Sequence, residues 1–279
     1  MSFHRFTLCF AFAASAFIAF TAPFNLPPTM KAGERLAAEI VSPGLDYNDP
    51  VALVCPGRDD VRCATIEIQP DMFVDIYWPA REFVEPLPVV LFIANLPRKD
   101  YLSKTEKPYR RYVPVISWAA DIATRGMIAI VPDFVLPGRD LPIFFEWLEK
   151  TGPTLGMDSS KQAYFCTGYS SAILPAMTSW ESEKHLRALI GYYTFWRPDQ
   201  GVKLRPDVAF QLVRVGKGWY ITQGDKFMVP LVEKLKAAGN PVEVVDMPNS
   251  LPFFDWKQLD TEAAGVLEKT LTFLEKHLK

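Results

Sequence analysis

Ser170 is the residue in this chain best placed to do chemistry. Residues 163–177 read AYFCTGYSSAILPAM. Ala163–Cys166 is apolar and predicts a short buried strand. Gly168-Tyr169-Ser170-Ser171-Ala172 predicts a tight turn, and Ala172–Met177 the start of a helix. Pro175 fits only in the first turn of such a helix, where no backbone N–H is needed. A serine at the apex of strand, turn and helix cannot fold back on its own chain. Its hydroxyl projects outward, and the N–H groups opening the helix face the same point. That is the setting of a serine nucleophile. A neutral hydroxyl attacks poorly, so three further parts are needed. These are a base to take its proton, an acid to orient the base, and N–H donors for the oxygen that gains charge.

The elements around the turn predict how it is held. Ala64–Gln69 and Met72–Trp78 alternate like strands and are close enough to pair as a hairpin. Pro88–Ala94 (PVVLFIA) and Met127–Val131 (MIAIV) are continuous apolar runs, expected of parallel strands buried on both faces. Arg187–Thr194, Val208–Val215 and Pro241–Asp246 predict three more strands. Helical periodicity covers residues 112–125, 141–150, 227–238 and 261–279. Residues 155–158 read as a connector. Strands alternating with helices of this length predict an α/β fold. Its central sheet is mostly parallel, flanked by helices on both faces, with antiparallel strands at the N-terminal side. In such sheets a site lies beyond the carboxyl ends of the strands, where Ser170 is expected.

The 279 residues suffice for one large domain with a full core. The formal net charge is −2 and no like-charge block stands out, which argues against nucleic acid as a partner. Phe6–Phe20 is apolar and uncharged, follows Arg5, and precedes the Pro-rich FNLPP. Residues 1–22 therefore read as a secretory signal, or as an uncleaved anchor, since Phe6–Ala22 approaches the roughly 20 residues a span needs. Export to the periplasm or beyond is expected; contact with a membrane would come only through this segment. Residues 23–62 form an extension and residues 63–279 the domain. Cys55 and Cys63 flank a polar turn, CPGRDDVRC. In an oxidising compartment they could close a disulfide; the alternative is two unpaired thiols. Cys166 reads as a small buried apolar residue. The cysteines lack metal-ligand spacing, so no metal is expected, and the serine chemistry calls for no cofactor.

Several strings together resemble the α/β-hydrolase fold, and within it the dienelactone-hydrolase-like branch of serine esterases. They are DIYWPA, PVVLFIAN, SWAADIATRGMIAIVPD, LGMDSSKQAYFCTGYSSA and RALIGYY, and they spread over most of residues 64–279. The resemblance implies ester or acyl hydrolysis and a chain order of Ser, then acid, then His. The residues depart from it. The chain has three histidines, His4, His185 and His277, none in the loop after the last strand. In that loop Pro252 or Leu251 stands where the base is expected, just ahead of Phe253-Phe254-Asp255. Gly218 stands where the acid is expected. Asp225 is a candidate acid, with a helix N-cap before residue 227 as its other reading. The resemblance also places oxyanion donors at Ser171 and in Ala94-Asn95, the latter replacing the usual His-Gly. Lys217, Lys226 and Lys257 are substitutes for the base only if desolvated. Trp118, Phe134, Tyr169, Tyr192, Tyr193, Trp196, Trp219 and Phe253 would line an apolar pocket or fill the core. The expectation is a pseudo-hydrolase or weak esterase for a small apolar or ester-like ligand. The competing readings are an active carboxylesterase with an unlocated base and an envelope-associated scaffold.

Overall fold

A computed structural model describes residues 59–70, 72–93, 109–111, 113–132, 137–167, 185–194, 205–216, 220–250 and 261–279. The first strands, β1 (Val61–Gln69) and β2 (Met72–Pro79), pair antiparallel as a hairpin. β3 (Leu87–Ile93) leads to a short 3-10 turn, Tyr109–Arg111, and to helix α1 (Val113–Thr124). β4 (Ile128–Pro132), α2 (Pro137–Thr151) and β5 (Met157–Thr167) follow. β6 (Leu186–Tyr192), β7 (Ala209–Val215), α3 (Tyr220–Ala237), β8 (Val242–Met247) and α4 (Thr261–Leu278) complete the described order.

The eight strands form one sheet in the order β1-β2-β4-β3-β5-β6-β7-β8. β1/β2 and β2/β4 are antiparallel and every other pair is parallel. The expected architecture is therefore present, antiparallel N-terminal strands included. Side-chain alternation sorts the core into two layers. Val90 and Phe92 of β3 pack toward α1 and α4, whereas Val89, Leu91 and Ile93 pack toward α2 and α3. Burial on both faces is why the central strands carry no polar alternation.

Two predicted boundaries move furthest. α3 begins at Tyr220, about two turns before the expected start, so it runs through Gly224 and Asp225. Gln223-Gly224-Asp225 looks like a loop in sequence. The helix tolerates the glycine, at a cost of about 1 kcal/mol, because Met228, Leu231 and Leu235 anchor it to the sheet. β5 begins at Met157, inside the predicted connector. Met157 and Asp158 pair with Leu87 and Pro88, and pairing resumes only at Gln162 opposite Val89. Asp158 holds the bulge between them, accepting from the Ser160 N–H at 3.0 Å.

The far side of the domain is closed by a left-handed glycine. Gly239, at φ 87°, ends α3. Its N–H donates to the Lys236 carbonyl, and the Asn240 N–H to the Leu235 carbonyl, both at 3.0 Å. The Asn240 side-chain amide then donates to the Val208 carbonyl at 2.9 Å, seating the start of β8 beside β7.

Candidate active site

The register aligns the carboxyl ends of the parallel strands into one rim. Ile93 pairs with Cys166, Thr167 with Tyr192, Tyr192 with Val213, and Val213 with Val245. The predicted nucleophile, acid, base and oxyanion positions belong to segments that follow strands ending at this rim. Ser170 and Ser171 follow β5 at the centre of the sheet. Ala94 and Asn95 follow β3, its neighbour. Gly218 follows β7, and Pro252 follows β8. These six residues, with Cys55, lie outside the described residues, so the strands fix where their segments begin and nothing more.

Beneath the rim lies an aromatic layer. Phe165 of β5 stacks on Phe92 of β3, with ring centroids 5.0 Å apart. Trp118 of α1 meets Phe165 at 4.9 Å and Tyr192 at 5.7 Å. Trp118, Tyr192 and Tyr193 are buried, so these three of the predicted pocket aromatics are core. Cys166 is buried in the layer on the other face of the sheet, and burial pushes its thiol well above the usual range. It is a small residue of the apolar core, as the sequence suggested. Cys63 is likewise buried, in β1 opposite Tyr77.

The roots of the acid and base segments are held together. The Gly216 N–H donates to the Met247 carbonyl at 2.8 Å. A side chain at Gly216 would meet the Pro248 backbone at 2.3–2.6 Å, so the two chains approach as only glycine permits. Arg214 of β7 donates from Nε to Asp246 of β8 at 2.5 Å and from Nη1 to Asp225 of α3 at 3.3 Å. Those carboxylates, the Asp246 bond foremost, hold the guanidinium above its ordinary value. Asp225 is therefore inside a helix and ion-paired, which corrects its reading as an N-cap. Its carboxylate borders an open recess of about 180 Å³ with Arg214, Gly216, Asp246 and Pro248. Lys226 is exposed, with Nζ 5.8 Å from the Phe227 ring centre, and lacks the burial a lysine base requires.

The two described histidines lie at the opposite edge. His185 immediately precedes β6, whose Leu186 pairs with Gln162, five residues before the end of β5. That is roughly 17 Å along the strand from Thr167. His277 occupies the last turn of α4, its ring 4.5 Å from that of Phe273. Nearby, Lys279 donates to the Arg125 carbonyl at 2.6 Å, beside the turn that feeds β4 at its amino end. Burial first, then Lys276, lowers the His277 imidazole below its usual range, against the pull of Glu243.

Two rim features were not read from the sequence. Tyr193, just past β6, has a left-handed backbone at φ 43°, uncommon for a residue with a side chain. The methyl group of Thr194 lies 2.4 Å from where a Cβ on Gly191 would be, so the turn closes over the glycine. The GYYT string held the only signal. The second feature is Asp75, buried in β2 and paired with Arg110 at 3.1 Å. A lone acid in MFVDIYW was the clue to it. Among the described residues, no group of three or more His, Cys, Asp or Glu could hold a metal ion.

No protein-family model and no curated protein matches the chain. Solved structures do. Esterase B from Lactobacillus rhamnosis, inhibited by a tributyrin phosphonate, aligns over 99% of this chain and 96% of its own, with a TM-score of 0.59 and 14% identity. The chain has the α/β-hydrolase fold. Butyrate-bound esterase 2 of Thermogutta terrifontis aligns over 79% of this chain and 95% of its own (TM-score 0.55, 15% identity). A Klebsiella pneumoniae protein assigned as a dienelactone hydrolase aligns over 77% and 99% (TM-score 0.55, 12% identity). The α/β-hydrolase neighbours are thus esterase-like, dienelactone-hydrolase-like proteins among them.

Proposed function

We propose that this α/β-hydrolase-fold protein is exported, receives a small apolar or ester-like ligand at Ser170, and hydrolyses it slowly or not at all. One observation carries the reading. His185 and His277 sit at the amino edge of the sheet, while the Ser170 segment starts at the carboxyl rim. The third histidine, His4, belongs to the apolar N-terminal segment. Pro252 cannot accept a proton and Gly218 cannot orient a base, whatever their placement. Loss of the base from a serine triad costs about 10⁴–10⁶ in rate, so a lone serine in this rim is a weak nucleophile. The esterases of the same fold, one bound to butyrate, favour an acyl-type ligand over a nucleotide or a metal-bound one. Apolar residues 6–22 support export or anchoring. No helix among the described residues is long and apolar enough to cross a membrane.

The test uses short p-nitrophenyl esters and a fluorophosphonate probe on the full chain. The expected turnover is about 10⁴-fold or more below that of a same-fold esterase assayed alongside. Any slow labelling is expected to vanish in Ser170→Ala. Rapid stoichiometric labelling at Ser170 would overturn this reading and establish an active carboxylesterase with another base. Fractionation of the expressed chain separates a processed soluble form from a membrane-held one.

A further inference from the structure

We infer that a buried hydrogen-bonded row of Tyr192, Thr270, Gln211 and Glu243 is a latch through which docked α4 holds the strained turn at Tyr193 and Thr194 on the carboxyl rim. The row links four elements. Tyr192 of β6 meets Thr270 of α4 at 2.7 Å. Thr270 Oγ1 donates to Gln211 Oε1 of β7 at 2.6 Å. Gln211 Nε2 donates to Glu243 Oε1 of β8 at 3.1 Å and to the Lys269 carbonyl of α4 at 3.3 Å. Tyr192, Gln211 and Thr270 are fully buried, while Glu243 lies exposed on the edge strand. The chemistry of the groups fixes the protons. A carboxylate and a carbonyl only accept, so the Gln211 amide nitrogen must face them and its oxygen must face Thr270. That oxygen takes the single Thr270 hydroxyl proton, so Tyr192 is the donor to Thr270. The row therefore runs one way, from the end of β6 to the Glu243 carboxylate.

The adjoining turn is costly to hold. Tyr193 has φ 43°, left-handed for a residue with a side chain. The Thr194 hydroxyl is buried and, among the described residues, meets no hydrogen-bond partner. Both features persist only where the surroundings impose them. The row reaches the turn from two strands. In β6, Tyr192 directly precedes it. In β7, Val213 lies two residues beyond Gln211, and its carbonyl accepts from the Tyr193 N–H at 2.8 Å. The Tyr192 ring packs on Trp118 and Phe165, with centroids 5.7 and 5.2 Å away. Ring packing is non-directional and would let Tyr192 slide, whereas its bond to Thr270 sets one distance and one direction. Valine has the shape and the helix propensity of threonine, so packing alone does not call for a hydroxyl at position 270. Moving α4 by one turn would strand three buried polar groups, which leaves the helix a single seat. The latch stands apart from the esterase-like reading, since none of its parts needs a reaction at the rim.

Amide hydrogen exchange on the full chain, resolved by NMR, tests the latch. The reporter is the Tyr193 N–H. The control is the Leu87 N–H, which donates to the Gly156 carbonyl at 2.8 Å where β3 begins. Thr270→Val and Tyr192→Phe keep the packing and remove the link. In each, exchange at Tyr193 is expected to quicken about tenfold, the weight of one buried hydrogen bond, with Leu87 changing by less than about twofold. Thr270→Ser, which keeps the hydroxyl, should recover most of the protection. An unchanged Tyr193 rate, or an equal rise at both amides, overturns the inference. Tyr193→Gly removes the strain, because glycine takes positive φ freely. In that background Thr270→Val should no longer speed exchange at position 193. The same rise there would show that the row and the strained turn are independent, and the latch would be rejected. Should Thr270→Val not fold, Tyr192→Phe carries both comparisons.

Discussion

The two edges of the sheet carry different chemistry. The amino edge has the imidazoles, His185 and His277, and a set of exposed ion pairs. Arg187 and Arg205 meet Asp207, and Arg125 meets Glu268 and Glu275. Such pairs contribute about 0–1 kcal/mol each and tune a surface. The carboxyl rim has the serine segment, a strained Tyr193, the glycine-only approach of Gly216 to Pro248, and the buried Asp75–Arg110 pair. Among the described residues, local strain and buried charge gather at one edge, and the two imidazoles lie at the other. Parallel strands explain why this matters. An imidazole at the amino end of a strand is separated from the rim by the whole length of the sheet, and no rotamer spans that gap. The difference teaches that, among the described residues, the two histidines and the strained, buried features of the rim are kept a strand length apart.

The largest effect should come from moving a base across. Pro252→His combined with Gly218→Asp places an imidazole and a carboxylate on the segments rooted at β8 and β7. An increase of about a hundredfold or more in p-nitrophenyl butyrate hydrolysis, lost again in Ser170→Ala, is expected from general-base assistance. No gain would mean that the rim lacks more than its base. Gly216→Ala tests whether the rim depends on the close approach of its roots. A Cβ there has no room against the Pro248 backbone, so denaturant unfolding should show a loss of about 1–3 kcal/mol. A neutral result would show that the β7 and β8 ends part without cost.

The smallest effect belongs to the amino edge. The His277 imidazole is held below its ordinary value by partial burial. Over the window at and below an ordinary pKa of about 6.5, the unfolded chain binds more protons than the folded one, so stability falls on acidification. His277→Gln should flatten that slope in urea melts between pH 7 and pH 5, by an amount limited by exposure. It should leave ester turnover untouched. A change in turnover would place His277 in the chemistry and erase the contrast between the edges.

Much of this was legible in the chain itself. Continuous apolar runs such as PVVLFIA and MIAIV demand burial on both faces, and their alternation with amphipathic helices leaves few sheets to choose from. Hence the strand and helix order and the antiparallel hairpin could be read in advance. So could the scarcity of histidine, because a missing residue type needs no geometry. Long-range pairing was out of reach. That Asp225 lies within a helix and pairs with Arg214 depends on a glycine tolerated by packing from distant residues. That Asp75 meets Arg110 depends on two strands and a turn converging from 35 positions apart. Sequence determined which elements form and which residue types the chain can offer. The tertiary structure decided which edge the described residues occupy, because strand direction and register, set by the packed core, separate the imidazoles from the carboxyl end of β5.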